Sequence, residues 1–185
     1  MRRNGEAAIF FENRHFMLQR VIDGTARRIL DLLLPQDCRL CGLPSGDALL
    51  CVGCRDELPR LPAAHCPVCA LPVPTADVCG RCLRHPPAFD ATLAVWAYAA
   101  PADQLIHALK FRASLPLAGW FARELHALGL PPCDLLLAMP LHPNRLRERG
   151  FNQSVEIGRA LGKLDRLNFD AFGLVRLHDT PPQRD

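Results

Sequence analysis

Eight of the nine cysteines fall into four Cys-x-x-Cys pairs between residues 38 and 82, and the second half of that stretch repeats the first. Cys38, Cys41, Cys51 and Cys54 recur 28 residues later as Cys66, Cys69, Cys79 and Cys82, and Leu43–Pro44 recurs as Leu71–Pro72. Register kept at four cysteines and a dipeptide marks a duplicated module. A unit this short buries too little apolar surface to hold itself together, so it needs another source of stability. Tetrahedral zinc accepts four thiolates, and a Cys-x-x-Cys turn offers two of them at a suitable bite. The repeat therefore predicts two structural zinc ions, one for each four-cysteine module. In such a segment metal binding and folding are one event, with about 10–16 kcal/mol from each structural zinc.

Other uses of these thiols fit less well. Thioredoxin-type redox chemistry belongs to a strand–helix context, whereas these pairs lie among Pro/Gly turns. A complete all-thiolate shell leaves no open coordination position, which disfavours zinc catalysis. His65 and His85 flank the cluster as bystanders or as partners of the thiolates. Spacing leaves open whether the four turns pair locally or cross-brace. Cys133 precedes an apolar segment and reads as an inert core thiol.

The remaining composition sets limits. Apolar residues make up 49% and charged residues 22%, as in a folded protein. With 22 basic and 19 acidic residues the net charge is +3, too mild to argue nucleic-acid binding for the whole chain. Any such case must be local. Runs such as "DLLLAMPL" fall well short of a membrane span, so no transmembrane segment is expected. The opening "MRRNGEAAIFFENRHFM" is unlike a secretory signal, because Glu12, Asn13 and Arg14 interrupt its apolar residues. A reducing, cytoplasmic location follows as the expectation. Met17 is an alternative start.

Three regions emerge along the chain. Residues 1–34 form a tail and an amphipathic helix that ends before Pro35. Residues 38–83 hold the two cysteine modules, and "HPPAF" (85–89) reads as a linker. Residues 88–185 alternate strand and helix signals, the beginning of an α/β sheet. "ATLAVWAY" is a strand candidate, residues 102–112 are helical, and Pro116 restarts a helix carrying Leu117, Trp120, Phe121, Leu125 and Leu128. "DLLLAMPL" is apolar on both faces, as suits a central parallel strand. Asn152 is the expected N-cap of a helix with Ile157, Ala160, Leu161 and Leu164 on one face, and Glu156 suits its positive end. "FGLVRL" is a third strand candidate.

Between the second strand and that helix runs the loop "HPNRLRERGFNQS". Ligands in open α/β sheets bind beyond the carboxyl ends of strands. Arg145, Arg147 and Arg149 offer planar donors to phosphate oxygens, and Gly150 permits close backbone approach. The bland alternative is a solvated Arg/Glu surface, and the residues alone leave the two about even.

Taken together, the double zinc ribbon, "LIHALKFR", "MPLHPNRLRERGFNQS" and "TPPQ" resemble the ComF family over roughly residues 20–185. "RLRERGFNQS" is the most specific element of the resemblance. Lys110 and Phe111 match the family's Lys-aromatic pair. Arg145, Arg149, Gly150, Phe151, Asn152 and Gln153 match its arginine signature, and Thr180 and Gln183 match a later Thr…Gln stretch. The resemblance implies an N-terminal double zinc ribbon followed by a type I phosphoribosyltransferase-like α/β domain. It also implies a role in natural competence and the handling of incoming single-stranded DNA, with competence or DNA-uptake proteins as partners. The candidate anion-binding set is then Lys110, Arg145, Arg147, Arg149, Gly150, Asn152 and Gln153, and no catalytic residue is assigned.

One departure shapes the expectation. Type I phosphoribosyltransferases recognise phosphoribosyl pyrophosphate through two adjacent acids and a Thr/Gly-rich turn at a helix start. Nothing in "FDAFGLVRLHDTPPQRD" matches. The domain is therefore expected to be incomplete and C-terminally truncated. This chain should be inactive as an enzyme, with phosphoribosyl pyrophosphate bound and phosphoribosyl groups transferred only by a full-length form. The remaining alternative is a zinc-ribbon interaction protein without catalysis.

Overall fold

The computed structural model describes residues 36–180. The expected N-terminal helix, the tail before it, Met17 and Gln183 lie outside the described residues. The chain divides into two compact units between Arg55 and Asp56, so the two cysteine modules belong to different units.

Both modules are built by the same local rules. In the first, the Cys38 amide donates to the Leu43 carbonyl (2.8 Å) and the Gly42 amide closes the turn on the Cys38 carbonyl (2.9 Å). In the second, Cys66 donates to Leu71 (2.8 Å) and Ala70 to Cys66 (2.9 Å). The turn needs a left-handed residue just after its second cysteine, met by Gly42 (φ +73°) and by Ala70 (φ +59°). Asp37 bridges Pro44 and His65 bridges Pro72 in antiparallel fashion. The repeated Leu-Pro dipeptide is thus the strand stub that receives each cysteine turn. A short helix follows each third cysteine: α1 (Val52–Asp56) after Cys51 and α2 (Gly80–Arg84) after Cys79.

The second unit continues from its cysteine module into α3 (Ala102–Arg112), α4 (Pro116–His126), β1 (Leu136–Leu137), α5 (Pro143–Arg149), α6 (Gln153–Asp165) and β2 (Phe169–Asp170). Helix α3 occupies the expected span, and α4 starts on Pro116, whose fixed φ suits a first helical position. Leu105, Leu109 and Leu117 are fully buried and, with Trp120, Phe121 and Leu161, form the core. Trp96 stacks on Trp120 with ring centroids 5.0 Å apart, and Phe121 meets both edge-on. The buried carboxylate of Glu124 lies 3.5 Å from Arg60. Helices α4 and α6 make the most extensive helix contact, and α6 also covers β1 and β2. Gly158 and Gly162 permit that approach: a Cβ on Gly158 would meet the Phe169 ring at 2.5 Å.

The strands depart from expectation. "DLLLAMPL" contributes only the two residues of β1, paired in parallel with β2, Leu136 opposite Phe169. Parallel pairing holds, but burial on both faces does not, since Leu135, Leu137 and Met139 are all exposed. "ATLAVWAY" forms no strand in the sheet. Its Trp96 bridges Arg60, with Leu61 donating to Val95 and Ala97 to Pro59. "FGLVRL" is irregular, because the Asp170 carboxylate accepts the amides of Phe172 and Gly173 and turns the chain away. The strand lies three residues earlier, starting at Phe169. Cys133 is exposed rather than a core thiol. Leu128 falls beyond the end of α4 at His126 and is exposed, and Leu164 lies on the exposed side of α6.

Candidate metal centres and anion site

In each module the four sulfurs gather within 4.8 Å of one another, Cys38/Cys41/Cys51/Cys54 in one and Cys66/Cys69/Cys79/Cys82 in the other. Pairing is local; the cross-braced alternative is excluded. Zn–S bonds of about 2.3 Å in a tetrahedron place neighbouring sulfurs about 3.8 Å apart. Cys41 and Cys51 are 3.7 Å apart, as are Cys69 and Cys79. The sequence repeat has become a repeat of coordination geometry.

The electrostatics also ask for a cation. In the second module, backbone donors led by the Cys79 amide, 3.3 Å from the sulfur, bring the Cys66 thiol down to about 6. At Cys38 burial pushes the thiol up, but the backbone amides of Cys41, Cys51 and Leu40 outweigh it and the result is again about 6. Cys82 is pushed up to about 12, by burial and by its three neighbouring sulfurs. Cys54 is raised too, chiefly by Cys41. In each module at least one thiolate forms readily and another resists, because negative charge accumulates at one point. A divalent cation relieves that repulsion, so both clusters fit structural zinc. His65 Nδ1 donates to the Pro62 carbonyl (2.7 Å), and His85 ends α2; neither joins the ligands.

The arginine segment is a helix, not a loop. His142 caps α5, Pro143 opens it and Gly150 closes it at φ +80°. Proline just inside the start and glycine just past the end are the sequence signal that identifies such a helix. Helical spacing separates the arginines. Arg147 donates to the side-chain oxygen of Asn144, Oδ1 (2.5 Å). Arg145 and Arg149, one turn apart, border a cavity of about 170 Å³ with Lys110, Phe111, Glu148 and Phe151.

The Arg149 guanidinium lies over the Phe111 ring, 5.3 Å from its centroid, and donates to Gln153 Oε1 (2.5 Å). Burial, and next the charge of Arg145, lower its pKa. Arg145 has a loose ion pair with Glu148 (3.8 Å), whose side chain is largely exposed. Asn152 has a structural duty: its oxygen caps α6 through Ser154 and its nitrogen holds the Met139 carbonyl (3.0 Å). Of the expected anion-binding set, Lys110, Arg145 and Arg149 converge, with Gln153 bonded to Arg149. Arg147, Gly150 and Asn152 stand outside the cavity lining. Phe151 was missing from that set; as an aromatic beside Gly150 it carried the signal.

Comparison with known proteins follows the same division. A double zinc ribbon domain family matches residues 29–83. Over 163 residues the chain is 33% identical to DNA utilization protein YhgH of Escherichia coli (strain K12), covering 82% of this chain and 71% of that protein. It is 31% identical to the protein of the same name from Salmonella typhi over an equal span. Competence protein F of Haemophilus influenzae is 29% identical over 147 residues, 73% of this chain and 62% of that protein. No solved structure matches. Among the described residues no helix is long and apolar enough to cross a membrane.

Proposed function

Because the chain belongs to the ComF family, we propose that it serves in DNA uptake or utilisation by holding the phosphate backbone of single-stranded DNA at the Lys110–Arg145–Arg149 cavity. The observation that carries this reading is the convergence of three cations from α3 and α5 with Phe111 and Phe151. Cationic grooves edged by aromatic rings are how proteins bind single strands without sequence preference. Burial and then the neighbouring charge of Arg145 lower the pKa of Arg149, and a phosphate between the two guanidinium groups would relieve that repulsion. The zinc modules, residues 38–83, are scaffolding in this reading, and they offer surface to competence or DNA-uptake proteins.

The reading extends to the α/β region. The residues from 88 onward are proposed to form a phosphoribosyltransferase-like fold, supported by parallel β1 and β2 joined through two helices. The test of function is fluorescence anisotropy with a labelled single-stranded oligonucleotide at low salt. Arg145→Ala and Arg149→Ala should each weaken binding, and the loss should shrink as salt rises. Unchanged affinity in both variants would overturn the proposal.

A further inference from the structure

Lys110 forms a wall shared by two cavities of opposite character. On one side lies the cationic cavity with Arg145 and Arg149. On the other lies a cavity of about 370 Å³ lined by Trp96, Tyr98, Ile106, Phe121 and Ile157, among others. That volume is at the lower end of the range for small-molecule sites, about 300–1,000 Å³. Gln153 belongs to both sides, since it borders the larger cavity while its oxygen accepts from Arg149. The accepted bond leaves the Gln153 amide nitrogen as a donor at the cavity edge. Trp96 adds an aromatic ring to the lining.

A flat, mostly apolar ring with acceptors on its rim suits such a space, and an alkyl chain would leave the Gln153 donor unused. We infer that the two cavities together take one nucleotide unit of a single strand, its phosphate beside Lys110, Arg145 and Arg149 and its base in the aromatic cavity. The inference rests on the phosphate-binding reading above and adds a base subsite to it. Lys110 then divides the nucleotide between its anionic and aromatic halves. Gln153 couples them, holding Arg149 on one side while facing the base on the other.

The experiment compares three probes on the zinc-loaded full chain: an oligothymidylate, an abasic strand with the same number of phosphates, and thymidine monophosphate. The oligothymidylate should bind about tenfold or more tightly than the abasic strand, the scale of stacking on aromatic side chains. Ile106→Trp, which fills the larger cavity, should remove most of that advantage. Equal affinity of the wild-type chain for both strands overturns the base subsite and leaves phosphate binding standing. Binding of neither strand overturns both. Thymidine monophosphate binding as tightly as the strand overturns the strand as the source of the nucleotide.

Discussion

The guanidinium of Arg149 lies 5.3 Å from the centroid of the Phe111 ring, so the end of α5 and the end of α3 meet through a cation and an aromatic face. Their sequence separation hides this contact. Phe111 also meets the His107 ring, at 4.4 Å between centroids, which places the aromatic ring between an imidazole and a guanidinium. Arg149 is thereby aimed before any ligand arrives.

Pre-aimed charge should be readable from salt dependence. Each phosphate neutralised on a single strand contributes about −0.7 to the slope of log affinity against log salt. Three cations predict a slope of about −2, and Arg149→Ala should bring it to about −1.4. Arg147→Ala, whose side chain is tied to Asn144, should leave the slope nearly unchanged. Anisotropy titrations at four or five salt concentrations measure this.

Zinc should bind with release of protons. The Cys82 thiol holds its proton up to about pH 12 in the metal-free module, so at neutral pH the metal must displace it. Cys66, at about 6, is already mostly ionised at pH 7 and contributes little to the release. Affinity therefore rises with pH above neutrality and is lost on acidification, as protons reclaim the sulfurs. Calorimetry in buffers of different ionisation enthalpy counts the protons. Elemental analysis should give two zinc ions per chain, and Cys69→Ser should lose one of them.

The approach of α6 to β2 leaves no room for a methyl group. Gly158→Ala should destabilise the α/β unit by about 1–3 kcal/mol, the usual range for overpacking. Phe169→Leu on its own opens a cavity, but combined with Gly158→Ala it should recover part of the loss. Denaturant unfolding of the four proteins gives the coupling energy. A purely additive result would mean that the clash is relieved elsewhere.

Only two tryptophans are present, and they stack on each other at an interplanar angle of 8°. Their near-ultraviolet circular dichroism should therefore report the packing of α4 against residues 95–97. Trp96→Phe should erase most of that signal while leaving the far-ultraviolet helix signal in place.

The sheet edge should be the weakest part of the second unit. Met139, Phe172, Val175 and Leu177 are each more than half exposed. Apolar exposure on this scale promotes association. Val175→Asp with Leu177→Asp should lower self-association in sedimentation experiments without loss of helix content. Hydrogen exchange should be fast across residues 172–180 and slow in α4 and α6.

Helices were legible in the sequence because their determinants are local. The apolar spacing around Leu105 and Leu109, Pro116 at a first position and Asn152 at a cap each act within a turn or two. Helix α5 was hidden by its charge: a reading tuned to apolar periodicity passes over "RLRER", although Pro143 and Gly150 bracket it. The strands were misread for the opposite reason. A strand is defined by its partner, and only two residues of "DLLLAMPL" find one at Phe169–Asp170. "ATLAVWAY" found a partner that its own sequence does not name, the segment around Arg60. For the candidate sites the contrast is similar. Metal ligands lie close together in sequence and were read directly, whereas the sharing of one cavity by Lys110 and Arg149 depends on how α3 packs.

The matching turns of the two cysteine modules carry an implication for descent. A duplicated segment starts with interchangeable copies, and here the turn, the receiving Leu-Pro stub and the following helix have all stayed in step. Their surroundings have not. One copy closes a unit that ends at Arg55, while the other opens a unit continuing into the α/β helices. The copies are thus set in different contexts and have drifted apart in sequence, the second belonging to the same unit as the α/β helices. Ala70, a left-handed residue where the sister copy keeps Gly42, is one place where that drift has left a mark.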